Sequence, residues 1–141
     1  MKKAAAFLCK GKIFLHPYSR TTLGFWIFST PVLVASESDK DIGGQLLEVL
    51  SKSAENVAHP TIWKGLTDPL VKTAGMRSFD AFAKSAIVVD ICCDEGNVTL
   101  IPTKNGGPQN AFLHLNDKMI KCEASEGKLT DALRTAFDAC E

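Results

Sequence analysis

The chain has 141 residues, 45 % of them hydrophobic, and 16 basic side chains balance 16 acidic ones. That length suits one domain with one modest core, and the apolar content excludes a wholly disordered chain. Zero net charge argues against a globally basic nucleic-acid binder.

The charge is unevenly spread. Lys2, Lys3, Lys10, Lys12 and Arg20 precede the first acid, Glu37, so the chain from residue 37 onward is net acidic. Met1-Lys2-Lys3 and the apolar residues after it look like the start of a signal peptide. Lys10 and Lys12 interrupt them after six uncharged residues, short of the ~7–15 that an export segment needs. Residues 21–36 carry no charge but contain Pro31 and several Ser and Thr. A membrane helix needs ~20 apolar residues, so this stretch reads as strands and a cytoplasmic protein is expected.

In chain order, the first half begins with a strand that turns at Lys10-Gly11. The returning strand places Ile13, Leu15 and Pro17 on one side. Residues 25–28 and 32–35 are short, punctuated apolar runs and read as buried strands. Ser38 or Asp39 then caps a helix, with acids in its first turn. Ile42, Leu46, Val49 and Leu50 share one face of that helix. Gly43-Gly44 in its opening turn costs about 1 kcal/mol per glycine against alanine. Close packing of that turn on the sheet would explain the pair.

Residues 53–77 show no sustained period and read as an irregular surface segment. Residues 78–85 form a short helix with Phe79, Phe82 and Ala83 inward. A buried strand follows over residues 86–93, rich in β-branched side chains. Asp94-Glu95-Gly96-Asn97 is a hairpin turn, with Gly96 free to take positive φ. Val98, Leu100 and Pro102 alternate with Thr99 and Ile101. Residues 104–110, rich in Gly, Asn and Pro, read as a mobile loop. Two short strands, at 111–115 and 119–122, lead to a helix opened by Ser125-Glu126. Its stripe is Leu129, Ala132, Leu133, Ala136, Phe137 and Cys140.

The two halves are weakly alike. At an offset of 85, Gly11 meets Gly96, Leu15 meets Leu100 and Pro17 meets Pro102. At an offset of 87, Phe25 meets Phe112, Leu33 meets Ile120, Ser38 meets Ser125 and Leu46 meets Leu133. The order of elements matches better than the letters do. The fold expected is α+β: one domain, 1–141, with an antiparallel or mixed sheet built from two similar β-β-β-α halves and helices packed on it.

Chemistry is sparse. No GxGxxG, GxxxxGK, GxSxG or HExxH occurs. Asn105-Gly106-Gly107 follows a strand without opening a helix, so it is a loop and not a phosphate cradle. Cys9, Cys92, Cys93, Cys122 and Cys140 are odd in number and contain no CxxC, which fits reduced core thiols. Cys92-Cys93, between Asp90 and Asp94, reads as strand packing before a metal hook, and Cys140 lies on a helix stripe. His16, His59 and His114 are dispersed. No catalytic residue, metal or cofactor is assigned. What remains is surface for protein contact. Trp63 is a large aromatic in a polar segment, the residue type favoured at binding hot spots. Glu37, Asp39 and Asp41 form an acidic cluster at a helix start, suited to a basic partner. Asp68 is grouped with them.

Three strings carry a resemblance. Residues 29–50, STPVLVASESDKDIGGQLLEVL, form a strand-to-helix block with glycine in the helix's first turn. SAIVVD at 85–90 and EGNVTLIPTKNGG at 95–107 form a hairpin ending in Ile-Pro-Thr, and LTDALRTAF at 129–137 closes the chain. Together they resemble the immunity proteins of bacterial contact-dependent growth inhibition systems. The resemblance covers about three quarters of the chain, weakest over residues 53–77. One departure is Thr130, which stands in the second helix where Gly43 stands in the first. The resemblance implies a cytoplasmic, non-enzymatic protein that binds the C-terminal toxin domain of a cognate exported effector. It would neutralise that domain by stoichiometric occlusion, and the surface residues singled out above, Glu37, Asp39, Asp41, Trp63 and Asp68, are the candidate toxin-binding residues. Many such toxins are basic nucleases, which suits the acidic body. No direct nucleic-acid or membrane contact is implied. The alternatives are a small ribonuclease using His16 or His114, and an RNA- or small-molecule-binding regulatory domain.

Overall fold

The computed structural model describes residues 1–107 and 111–141. Each half of the chain opens with a long hairpin. Strands β1 (Lys2–Cys9) and β2 (Lys12–Arg20) form the first, and β5 (Ala86–Asp94) and β6 (Asn97–Asn105) the second. The two turns match. Lys10 and Gly11 have φ of 51° and 78°, and Glu95 and Gly96 have 52° and 79°. Positive φ at both central residues is the primed hairpin turn, whose twist suits the flanking strands.

Strands β1 and β5 pair antiparallel along their length, from Lys2↔Cys93 to Cys9↔Ala86, and join the hairpins into one sheet. In that register Ala5 faces Asp90. Those residues are 85 apart, the offset of the sequence repeat, so an approximate twofold axis passes through this pair. The outer edge of β2 carries two short strands end to end. One is β3 (Trp26–Phe28), on Tyr18–Arg20, and the other is β4 (Leu33–Ser36), on Lys12–Leu15. The outer edge of β6 repeats this with β7 (Phe112–His114) and β8 (Ile120–Glu123). All eight strands pair antiparallel. The expected α+β fold is therefore present, and among the described residues each half carries four strands before its helix, the two short ones both on the edge.

Each half ends in a helix, α1 (Ile42–Ser51) and α4 (Glu126–Ala139). The two lie side by side on one face of the sheet. Ala4, Ala6, Ile13, Leu15, Val89, Ile91, Val98 and Leu100 meet them there, with Ile42, Leu46, Val49, Leu129, Leu133 and Ala136 from the helices. The opposite face is covered in part by α2 (Asp68–Ala74) and α3 (Phe79–Lys84), over Ala5, Phe7, Cys9, Phe14 and Val88. Strand β1 is thus buried on both sides, as its run of Ala, Phe and Leu allows.

Several expectations change. Residues 25–28 and 32–35 do form strands, but they are edge strands. Phe25 and Val34 are exposed, because β2's rim offers a backbone ladder on one side and no second layer beyond it. Residues 53–77 are not wholly irregular. Helix α2 starts at Asp68-Pro69, ends at Gly75 in the left-handed region, and buries Leu70 and Val71. Seven residues are too few to establish a visible period.

The cap of α1 falls at Asp41, not Ser38 or Asp39, and no acid lies in the first turn. Asp39 instead accepts from the Asp41 amide at 2.8 Å and from Gln45 Nε2 at 3.2 Å. Gly43 packs against α4 rather than the sheet: a Cβ there would lie 1.9 Å from the Glu126 carbonyl oxygen. Of the predicted loop over 104–110, residues 104 and 105 continue β6, while Pro108, Gln109 and Asn110 lie outside the described residues.

Candidate interaction surface

The five sequence-predicted contact residues do not form one cluster. Glu37 follows β4 beside the first hairpin turn, its amide bonding the Gly11 carbonyl at 3.0 Å. Trp63 belongs to a segment tied to Thr21, at the other end of β2. Ten residues of strand separate Gly11 from Thr21, on the order of 30 Å. An interface of ordinary size buries ~800 Å² per partner, a disc roughly 30 Å across, so it can be centred on one end only.

The acidic end is a poor centre. Asp39's carboxylate is spent on local bonds, and its carbonyl accepts from Arg134 at 2.8 Å. Glu37 and Asp41 are exposed, with Lys10, Lys12 and Lys40 in the same turns. The local charge is mixed, and the acids here are largely helix-entry chemistry. Asp68 is exposed at the start of α2, its carboxylate against Gly65.

The other end is apolar and organised. Leu23 is 66 % exposed, Phe25 57 %, Ile62 72 % and Trp63 51 %. The His59 ring lies between two of them, 5.5 Å from Phe25 and 5.3 Å from Trp63. Thr21 holds this arrangement. Its hydroxyl accepts from the amides of Leu23 at 3.3 Å and Phe25 at 3.2 Å. With both lone pairs used, its proton goes to His59 Nδ1, 3.0 Å away. The backbone adds Thr21 N–H to the Phe25 carbonyl, Thr22 N–H to Val57, and Val57 N–H to Arg20. Two loops remote in sequence are thereby clamped into one aromatic surface. Fixing such side chains before a partner arrives removes ordering cost from binding. Sequence reading found Trp63 but not Leu23, Phe25, His59 or Ile62. Phe25 sits in an apolar run that reads as core, and no local signal links it to residue 59.

The histidines separate by environment. His16 is 1 % exposed, stacked on Phe7 and against Tyr18 and Phe28, with Nδ1 2.8 Å from the Pro17 carbonyl oxygen. Burial pulls its pKa from 6.5 down to about 4. It is a neutral core ring, so His16 and His114 do not form the acid–base pair of a ribonuclease. The half-buried thiols of Cys92, Cys122 and Cys140 are all pushed up in pKa by burial, which suits packing and not nucleophilic attack. Cys92 and Cys93 leave their strand on opposite faces, so they cannot close on one metal.

Beside this surface, on the sheet face opposite α1 and α4, lies a cleft of about 330 Å³. Lys3, Tyr18, Trp26, Asp90, Cys92, Ile101 and His114 line it. His114 Nε2 and Asp90 Oδ2 are 2.5 Å apart, and Lys3 Nζ stands 5.1 Å from the centre of the Trp26 ring. Among the described residues, no helix is long and apolar enough to cross a membrane.

No family model matches the chain, and no curated protein matches it by sequence. Solved structures do resemble it. A protein of unknown function from Neisseria meningitidis superposes with a TM-score of 0.81 at 14 % identity, over 99 % of this chain and 95 % of that one. A chain of the CdiA-CT/CdiI toxin and immunity complex from Yersinia pseudotuberculosis superposes with a TM-score of 0.80 at 16 % identity, over 99 % and 97 %. At these identities the likeness is one of fold.

Proposed function

We propose that this chain is the immunity member of a toxin–immunity pair. It binds the C-terminal toxin domain of a contact-dependent growth inhibition effector in the cytoplasm and blocks it one to one, without turnover. The observation that carries the reading is the end-to-end fold likeness to a chain of a toxin and immunity complex. The clamped aromatic surface of Leu23, Phe25, His59, Ile62 and Trp63 supports it, since rigid aromatic anchors are what a tight inhibitor requires. That surface is the centre of the contact. Asp68, at the start of α2, and Glu37, Asp39 and Asp41 act at most from the rim, where charge speeds association more than it adds affinity. A basic nuclease toxin suits the acidic balance of the chain beyond residue 36.

The test is co-expression with a toxin domain encoded immediately upstream of this chain's gene, followed by co-purification and a growth assay. A one-to-one complex with rescued growth is expected. Toxicity undiminished by this chain, with no complex, would overturn the reading.

A further inference from the structure

The cleft on the open sheet face has a composition of its own. It sits where the approximate twofold crosses the sheet, beside the Ala5↔Asp90 pair. Cross-strand neighbours build it: Lys3 faces Tyr18 on one side and Cys92 on the other, while Asp90 faces Ile101. Its only acid is Asp90, which His114 already engages. Its donors are in surplus. Among the described residues, Lys3 Nζ reaches no carboxylate, and neither the Tyr18 hydroxyl nor the Trp26 indole N–H has a protein partner. Tyr18 is half-buried, packed edge-on against His16, and lines the cleft. Trp26 and Ile101 provide apolar wall.

Donors without a protein partner that line a partly enclosed, partly apolar space accommodate negative charge, because a bound anion supplies the acceptors they lack. A cation would find one carboxylate in the lining, already bonded to His114. The volume lies at the small end of ligand pockets. We propose that this cleft binds a small organic anion, a phosphate or carboxylate carried on a flat ring. Lys3 and Tyr18 hold the acidic group, and Trp26 and Ile101 line the place of the ring. The site is separate from the Phe25–Trp63 surface, and its occupancy does not depend on a toxin.

The experiment uses the full chain as a Trp63→Phe variant, so that Trp26 is the sole tryptophan. Its fluorescence is titrated with adenosine monophosphate, adenosine, inorganic phosphate and 4-hydroxybenzoate, with calorimetry in parallel. Saturable binding of the nucleotide or the benzoate is expected, with Kd below about 1 mM, and adenosine at least about tenfold weaker than its monophosphate. Preference between the two acids distinguishes a phosphate site from a carboxylate site. Lys3→Met, which keeps the stem against Trp26, should weaken binding about tenfold or more. Tyr18→Phe should weaken it several-fold, while circular dichroism remains native. Failure of both acids to bind saturably would overturn the proposal. So would binding that adenosine matches, or that survives Lys3→Met unchanged.

Discussion

The backbone amide of Gly43 donates to the hydroxyl of Thr130 at 2.9 Å, and the two residues occupy the same position in the two halves of the chain. The amide is one of the donors a helix start leaves without an intrahelical partner. Asp41, at the cap position, makes no side-chain bond to it. Helix α4 thus completes the cap of α1 across the approximate twofold axis. The glycine lets the helices come this close, and the threonine uses the closeness.

Gly43→Ala should therefore be costly, because its new Cβ would collide with backbone at Glu126, which cannot swing away, as well as with the Thr130 hydroxyl. Urea unfolding should show a loss of about 3 kcal/mol, at the upper range for overpacking. Gly44→Ala meets only the free end of Asp41 and Glu126 side chains, and Gly127→Ala meets nothing within 4 Å. Both should be neutral or stabilising, by up to about 1 kcal/mol from helix propensity.

Thr130→Val keeps the shape and removes the acceptor. The Gly43 amide is then buried without a partner, which costs about 1–2 kcal/mol. Thr130→Ser should recover most of that loss in the same unfolding measurement.

Truncating Trp63 or Phe25 to alanine should weaken the toxin complex by at least about 2 kcal/mol, roughly thirtyfold in Kd. Both are exposed, so stability should move by less than about 1 kcal/mol. Glu37→Gln should alter mainly the association rate and its salt dependence. A complex that depends on Glu37 and ignores both aromatics would place the interface at the opposite end of the β1–β2 hairpin.

Thr21→Val tests the clamp without any partner. It removes the acceptor for the Leu23 and Phe25 amides and the bond to His59. Hydrogen exchange at Leu23 should accelerate, with little change in the central strands. Phe25 should follow, because nothing else among the described residues holds its amide.

His16 makes stability depend on pH in one direction. Its pKa is about 4 when folded and 6.5 when unfolded. Between those values the unfolded chain holds a proton that the folded chain does not, so unfolding gains as pH falls. Stability conferred by the neutral ring is complete above pH 6.5 and declines by about 3 kcal/mol on descending through about pH 4. His16→Phe should remove this slope in denaturation measured from pH 7 to 4. The Pro17 carbonyl it abandons still accepts from the Ser29 amide and hydroxyl.

Local chemistry determined much of this protein in advance. Turn glycines at 11 and 96, period-two strands and the α4 stripe were readable, because each depends on residues within a few positions of one another, and the repeat between halves was readable because it is the same local pattern written twice. The resemblance of residues 29–50, 85–107 and 129–137 to immunity proteins was readable for the same reason. Tertiary structure decided what depends on contacts remote in sequence. It made residues 25–28 a half-buried edge with Phe25 exposed in place of full core, since no second layer covers β2's rim. It turned Gly43 from a helix weakness into the closest point between two helices 87 residues apart. It separated Trp63 from Glu37 by the length of a strand, and joined Trp63 to Phe25 through His59 and Thr21. It also gathered Lys3, Tyr18, Asp90 and His114 into one cleft. Those four come from four different strands, and only their register brings them together.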